Sequence, residues 1–445
     1  MDLIRGISGI RGIVDQSLNE STIVSHAQAF SRIQNKGIIL LARDSRKHGE
    51  ALISVAAKAL RNCGRVVINY NIIPTPTAQF LVEKKGYAGG IVITASHNPT
   101  EWNGLKFIDF DGCFLSAQKN NQLFEIADTN QIKEVKNGSI QEIQNGYLPH
   151  VAHTRSLNII DSTLIENRKF TIVIDAVNGA ASKALPSMVE SLGCIVHKIY
   201  CNPDGNFPRG AEPLPHNLID LGNAVREYGA DAGFATDPDG DRLAIVDENG
   251  QPIGEEYTLT ICADGYYKAN PTATSMVTNL SSTMALDIIA EKYGKKVVRS
   301  AVGEINVVNK MKEEFLDFGG EGNGGVILPN SHYGRDSLVG AAMFLNRMAQ
   351  DDKTVSEIFK SMPQYIILKD KIELEKIEPQ SVLDKIESKY EHVKMDKSDG
   401  LKIIWENSWL HVRKSNTEPI IRIYAEANTK SEANLIIQDV KDIVG

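Results

Sequence analysis

One pattern limits the fold of this chain more than any other: helix, glycine, strand, occurring three times. The copies are LRNCGRVVINY from Leu60, VESLGCIVHKIY from Val189 and AEKYGKKVVRS from Ala290. A second helical stretch follows each one, and then a strand marked by glycine and an aromatic residue. These strands lie in KKGYAGGIVITASHNP from Lys84, REYGADAGFATDPDGDR from Arg226 and LDFGGEGNGGVILP from Leu316. In every copy a polar loop sits just beyond the last strand. Self-similarity of this kind reads as one α/β unit used three times, each copy donating a loop. The ordinary glycine punctuation of α/β proteins is the competing explanation.

The strand runs 37–41 (GIILL) and 65–70 (RVVINY) flank an alanine-rich helix, Gly49–Cys63. Such alternation predicts crossover connections and mixed, mostly parallel sheets. The polar, turn-rich stretch Lys136–Tyr147 and the turn Glu248-Asn249-Gly250 mark boundaries. After Pro363 the pattern changes, with strand-like runs at 365–374 and 401–405 and an amphipathic helix at 431–443. The expected fold class is therefore α/β: three related α/β units and a C-terminal α+β domain, with domains at 1–150, 151–250, 251–365 and 366–445.

At 445 residues, several cores are required. Charged residues make up 23% and the formal net charge is −8, without a basic run, which disfavours a nucleic-acid partner. The five cysteines, Cys63, Cys113, Cys194, Cys201 and Cys262, are scattered and contain no C-x-x-C, as expected in a reducing compartment rather than a disulfide framework. MDLIRGISGIRG has no signal-peptide core, and nothing approaches the roughly 18 apolar residues of a membrane span. A cytoplasmic protein with no membrane partner is expected.

Four loops carry chemistry. In TASHNP, Ser96 and His97 lie past a buried strand, where α/β sheets place ligands. The serine reads as nucleophile, phosphate ligand or turn residue, and the absence of G-x-S-x-G argues against a hydrolase elbow. Adjacent side chains diverge, so His97 is poorly placed to take the proton of Ser96. In DPDGDR, Asp237, Asp239 and Asp241 put hard oxygen donors at alternate positions, suiting Mg²⁺ or Ca²⁺. The spacing also fits an EF-hand, but Arg242 stands at the sixth position, where that loop needs glycine, and its flanks are strands. In GEGNGG, Glu321 and Asn323 read either as partners for sugar hydroxyls or as parts of a turn. In RKSNTEP, Arg413, Ser415, Asn416 and Thr417, with Arg422 after them, make a phosphate cradle or an exposed turn. Arg11 in SGIRG and the loops Arg43–Arg46 and Gly303–Asn306 read equally well as surface turns.

Taken together, SGIRG, TASHNP with NGLK, DPDGDR, GEGNGG and RKSNTEP resemble, in order and spacing, the α-D-phosphohexomutase superfamily over essentially the whole chain. The resemblance implies four domains around a central cleft. It implies that Ser96 is carried as a phosphoserine and that one Mg²⁺ sits on Asp237, Asp239, Asp241 and the Ser96 phosphate. It implies also that Arg413, Ser415, Asn416, Thr417 and Arg422 hold the substrate's second phosphate. Arg11 and Arg242 would add positive charge at the transferring group, while Lys106, with His97 in support, would serve as general acid/base. For that role the Lys106 pKa must be lowered, which a cation and arginines nearby would favour. A hexose 1,6-bisphosphate is the implied intermediate and activator.

The GEGNGG loop departs from the common Gly-Glu-x-Ser-Gly-His pattern, since Asn323 replaces serine and Gly325 replaces histidine. His332 and Arg335, in SHYGRD, are the neighbours available to compensate. The GEINV, GEGNGG and SNTEP combination is most like the phosphoglucosamine mutase group, so glucosamine 6-phosphate and glucosamine 1-phosphate are the expected substrates. Mannose or glucose phosphates are the alternative, and a non-catalytic sugar-phosphate-binding paralogue is the alternative of another class. A monomer or homodimer is expected.

Overall fold

The computed structural model describes residues 3–129, 137–373, 378–414 and 420–444, arranged as three mixed α/β units and an antiparallel α+β unit. In the first sheet, Gly89–Ile93, Ile39–Arg43, Val66–Ile72 and Ser139–Glu142 run parallel, side by side in that order. Beyond Gly89–Ile93 the sheet continues antiparallel through Trp102–Ile108, Gly9–Ile13 and Ile4–Gly6. The second sheet has the order Leu243–Val246, Ala232–Thr236, Thr171–Asp175, Ile195–Ile199, the first pairing antiparallel and the others parallel. In the third, Val297–Ser300, Met276–Asn279 and Phe318–Glu321 are parallel, followed antiparallel by Gly325–Leu328 and His332–Arg335.

One strand order therefore recurs in all three: a hairpin partner, the strand before the polar loop, then the unit's first and second strands. The repetition seen in the sequence is a repetition of topology, and it places each polar loop at the tip of a hairpin. The boundary stretch at 136–147 behaves differently from its reading as a turn-rich linker. Within it, Ser139–Glu142 adds an edge strand to the first sheet. Its four side chains are all exposed, so the ladder to Val66–Ile72 stabilises it and no hydrophobic alternation announces it.

Helix Gly49–Asn62 buries Leu52, Ile53, Ala56, Ala57, Ala59 and Leu60, the single apolar stripe expected of a helix on one face of a sheet. The second and third units have no such independence. Helices Glu255–Ala269 and Ser337–Asp351 are buried on nearly all sides. They belong to one core running from Val151 to Met362, in which Phe234 meets Phe344 edge to face at 6.0 Å.

The fourth unit has its own core against the antiparallel sheet Ile366–Glu373, Ile420–Ala427, Trp409–Lys414, Leu401–Ile404, Lys394–Asp396. Its seat on the third unit is polar. Lys402 Nζ donates to the Leu280 carbonyl at 2.5 Å, the Met284 N–H donates to Glu426 Oε2 at 2.9 Å, and the Val302 N–H donates to Asp399 Oδ2 at 2.9 Å. His411 joins them, with Nε2 donating to the Asp399 carbonyl at 2.7 Å and Nδ1 2.8 Å from Ser281 Oγ. Among the described residues no helix is long and apolar enough to cross a membrane.

Burial lowers the His411 pKa to about 4 against a backbone hydrogen bond that raises it. Between its ordinary value near 6.5 and about 4, the unfolded chain binds the proton and the folded chain does not. The stability due to neutral His411 is thus complete above pH 6.5 and is lost as pH falls toward 4, by roughly 3 kcal/mol at most. Thermal unfolding of His411→Asn followed from pH 7 to 4.5 should show a shallower loss of stability than the parent.

Candidate active site

Tips from all three α/β units converge on a cleft of about 330 Å³, which the fourth unit closes with Lys369, Arg413, Arg422 and Tyr424. Ser96 follows directly on the strand Gly89–Ile93 and the residues Thr94 and Ala95. It is 2% exposed and adopts a left-handed φ of +50°, a conformation costly for a non-glycine residue unless its surroundings enforce it. Enforcement comes from Arg46, whose guanidinium donates to the carbonyls of Ser96 (2.6 Å), Asn98 (2.7 Å), Pro99 (2.5 Å) and Trp102 (3.2 Å). Arg46 is itself held by Asp44 at 3.0 Å, which also accepts from Thr94 Oγ1 at 2.6 Å. The loop Arg43–Arg46, legible in sequence only as a polar turn, is fully internal because its donors are consumed by another loop's backbone.

Ser96 Oγ donates to Asp237 Oδ2 at 3.2 Å, across 141 positions of sequence. Asp237, Asp239 and Asp241 are buried, with ligand atoms within 4.8 Å of one another. Lys106 Nζ lies 2.6 Å from Asp239 Oδ2 and 3.5 Å from Asp241 Oδ2, and Thr75 Oγ1 donates to Asp239 Oδ2 at 2.7 Å. Burial and its two aspartate neighbours push the Asp237 carboxyl well above the usual range. Burial acts on Asp239 in the same direction, but Lys106 and its hydrogen bonds bring it below that range. Oδ1 of Asp239 and Oδ1 of Asp241 are buried without a hydrogen-bond partner. Three converging carboxylates with unused oxygens form a donor set that fits a hard divalent cation.

Lys106 differs from expectation. Burial favours the neutral amine, yet Asp239 and Asp241 outweigh burial and hold its pKa up. His97 is governed by its cationic neighbours: Arg242 first, then burial and Arg11, place its pKa well below 6.5. Arg242 Nη2 donates to His97 Nδ1 at 3.0 Å, so that nitrogen is an acceptor and the proton of the neutral ring is on Nε2. The same Nδ1 is 3.4 Å from Ser96 Oγ, the long contact expected of adjacent side chains. Arg242 Nη1 also donates to Glu212 at 2.8 Å, and Arg11 donates to Asn98 Oδ1 at 2.9 Å.

In the third unit's loop, Glu321 Oε1 accepts from Asn279 Nδ2 at 2.8 Å and the Gly303 N–H at 3.0 Å, while Oε2 accepts from Arg335 Nη1 at 2.8 Å. Asn323 Oδ1 is buried near Gly325 and has no partner. At Gly325 itself a Cβ would stand 2.3 Å from Arg335 Cδ, so the arginine stem occupies the room a side chain there would need. Its guanidinium ties Glu321 to Asp241 Oδ2 at 2.6 Å and to Glu304 Oε2 at 3.1 Å. His332 does not share this place. Its Nε2 donates to Asp336 Oδ2 at 3.1 Å, with His150 Nε2 2.9 Å from the same oxygen. These three are a second cluster of metal-ligand types, but Asp336 Oδ1 also caps the helix Ser337–Asp351 through the Leu338 and Val339 N–H groups.

Arg413 and Arg422 are directly opposed on neighbouring strands and both line the cleft. Ser415, Asn416 and Thr417 lie outside the described residues. Thr75, Glu212, Asn279 and Lys369 also belong to the site. None had a local signal, because each sits in an ordinary helix, strand or turn and meets the site only through tertiary contact.

A hairpin-tip serine against three buried carboxylates, in a cleft shared by three like units and a fourth, defines a phosphoryl-transfer architecture. Family models for phosphoglucomutase/phosphomannomutase match it segment by segment: α/β/α domain I over 2–134, domain II over 145–250, domain III over 255–365 and the C-terminal domain over 368–443. The chain belongs to the phosphoglucomutase/phosphomannomutase family, within the α-D-phosphohexomutase superfamily, and is a phosphohexomutase. It is 33% identical over 443 residues to the phosphoglucomutase/phosphomannomutase of Thermococcus kodakarensis, covering 97% of this chain and 96% of that one. It is 31% identical over 461 residues to the phosphoglucosamine/phosphogalactosamine mutase of Sulfurisphaera tokodaii, covering 100% and 99%. A phosphoglucomutase/phosphomannomutase family protein from Burkholderia thailandensis superposes with a TM-score of 0.86 at 25% identity, covering 99% and 96%. N-acetylphosphoglucosamine mutase of Aspergillus fumigatus, solved with GlcNAc-6P and magnesium, shares the fold with a TM-score of 0.62 at 14% identity, covering 100% and 96%.

Two substitutions probe this geometry. Arg46→Met leaves Asp44 as an unpaired buried charge and should destabilise the fold by about 3–5 kcal/mol, measured by denaturant unfolding. Gly325→Ala drives a methyl group into the Arg335 stem and should cost about 1–3 kcal/mol, with a fall in mutase turnover as Arg335 leaves Asp241 and Glu321.

Proposed function

We propose that this enzyme interconverts glucosamine 6-phosphate and glucosamine 1-phosphate through a phosphorylated Ser96 and a bisphosphorylated sugar. The observation that carries the reading is the 3.2 Å contact of Ser96 Oγ with Asp237, next to Asp239, Asp241 and Lys106. The names of several relatives support the amino sugar. The phosphoglucomutase/phosphomannomutase name of the Thermococcus kodakarensis relative supports glucose or mannose phosphates as the alternative.

In the forward half, a free sugar hydroxyl attacks phosphorus. The sugar O–P bond forms, the Ser96 Oγ–P bond breaks, and the hydroxyl proton passes to a base while the departing Ser96 Oγ takes up a proton in exchange. The bisphosphate then turns in the cleft and returns its other phosphoryl group to Ser96. Asp237, Asp239, Asp241 and the Ser96 phosphate would hold one Mg²⁺, which would supply positive charge to the transferring group. Lys106, buried against Asp239 and Asp241, is the base we assign. Arg11 and Arg242 keep positive charge beside the phosphoryl group, and His97, neutral with Nδ1 taken by Arg242, positions that arginine rather than receiving the proton. Arg413 and Arg422 face the non-reacting phosphate, bound in turn at either end of the sugar. Most of the catalytic demand is thus alignment and charge neutralisation.

Intact-mass and peptide analysis should find a fraction of the protein one phosphoryl group heavier, with the group on Ser96. With Mg²⁺ and a hexose 1,6-bisphosphate, the enzyme should convert glucosamine 1-phosphate, and Ser96→Ala should lower turnover by more than about a thousandfold while thermal unfolding is unchanged. Near-normal turnover by that variant would overturn the role of Ser96.

A further inference from the structure

Position 322, between Glu321 and Asn323, is glycine, and the carboxylate of Glu256 occupies the space beside it. A Cβ at Gly322 would stand 1.8 Å from Glu256 Oε2 and 2.3 Å from both Oε1 and Cδ. Glu256 is in the first turn of the helix Glu255–Ala269, half-buried, and lines the substrate cleft. Among the described residues its carboxylate accepts one hydrogen bond, from the Thr283 N–H at 3.0 Å. A carboxylate offers about four acceptor sites, so most of this one's acceptor capacity is unused by the described residues. Removal from water pushes the Glu256 pKa up to about 8, against the opposing charge of Lys369.

The neighbouring acids are different. Glu321 already accepts from Asn279, Gly303 and Arg335. Glu255 is ion-paired with Lys369, whose charge also acts on Glu256, while the close contact goes to Glu255. The third unit's wall thus presents Glu255, Glu256 and Glu321 to the cleft, whereas the cations Arg11, Arg242, Lys369, Arg413 and Arg422 come from the other units.

The geometry points to Glu256 as the residue that reads the 2-amino group of a glucosamine phosphate, its cleft-facing carboxylate pairing with the sugar's ammonium beside Gly322. This rests on the amino-sugar reading proposed above. A hydroxyl at the same carbon brings one donor and no charge. An ammonium brings three donors and the charge that a poorly solvated carboxylate lacks. An N-acetylated sugar, having no ammonium, falls on the side of glucose. The competing role for Glu256 is structural, holding the Thr283 N–H at the segment that leads into helix Ala285–Lys292.

The test is the ratio of kcat/KM for glucosamine 1-phosphate to that for glucose 1-phosphate, measured on the full-length enzyme with Mg²⁺, with N-acetylglucosamine 1-phosphate as a third substrate. Glu256→Gln keeps the shape and removes the charge. It should lower the glucosamine-to-glucose ratio about ten- to a hundredfold, the scale of one charge-assisted hydrogen bond. Gly322→Ala, which displaces the carboxylate from the other side, should lower the ratio in the same direction and supplies the measurement if Glu256→Gln does not fold. A purely structural role lowers all three substrates alike, and a ratio unchanged within about threefold in a folded variant overturns the assignment of Glu256. Parent enzyme that turns over glucose phosphate but not glucosamine phosphate overturns the amino-sugar reading itself, and this assignment with it.

Discussion

Three carboxylates buried within a few ångströms of one another are the constraint around which the rest of the molecule is arranged. Left alone, Asp237, Asp239 and Asp241 would repel one another in a poorly polarisable interior, and burial together with that repulsion raises the Asp237 pKa. The fold brings one counter-charge from each flanking unit: Lys106 from the first, on Asp239, and Arg335 from the third, on Asp241. Each is buried, so each is itself tolerable only while its partner stays in place. Assembly of the three units and assembly of the site are in this sense one event. The unused Oδ1 atoms of Asp239 and Asp241 show that the internal cations leave part of the donor set open.

The interfaces differ in kind. The second and third units share an apolar core around Phe234 and Phe344, which fixes the DPDGDR loop relative to the GEGNGG loop to within packing tolerance. The fourth unit rests on the third through the Lys369–Glu255 ion pair and hydrogen bonds from Lys402, His411 and the backbone of Met284 and Val302. Lys402, His411 and Glu426, which make these hydrogen bonds, are themselves buried, so the seat of the fourth unit is specified by polar pairing where that of the second and third units is specified by apolar packing.

Much of the fold was legible in the sequence, because the helix–glycine–strand rhythm reports local propensity and sheet period directly. The aspartate loop was equally legible, since three acids at alternate positions on a proline–glycine turn have few other uses. Legibility failed where a residue's role depends on what approaches it. Arg43–Arg46 looked like an exposed turn, yet Arg46 is fully buried under the Ser96 loop. Lys106 was expected to have a lowered pKa, but two aspartates from another unit hold it up. Of the two candidates to stand in for the histidine absent at 325, His332 turned to Asp336 and Arg335 alone filled the place. Ser139–Glu142 gave no warning of a strand because its pairing involves only backbone.

By itself the sequence determined the three-fold repeat, the loops that end its strands and the residue types offered on them. These depend on periodicity, turn chemistry and the donor character of side chains, all of which are local. Only the tertiary structure decided which loops meet, which carboxylates are already paired and which cations are spent on structure. Burial and proximity set those outcomes, and both arise from contacts between residues more than a hundred positions apart, such as Ser96 with Asp237 or Lys106 with Asp239. The same reason separates Glu256 from Glu321: they are one residue type on one wall, but one carboxylate is saturated by the protein and the other is turned toward the cleft.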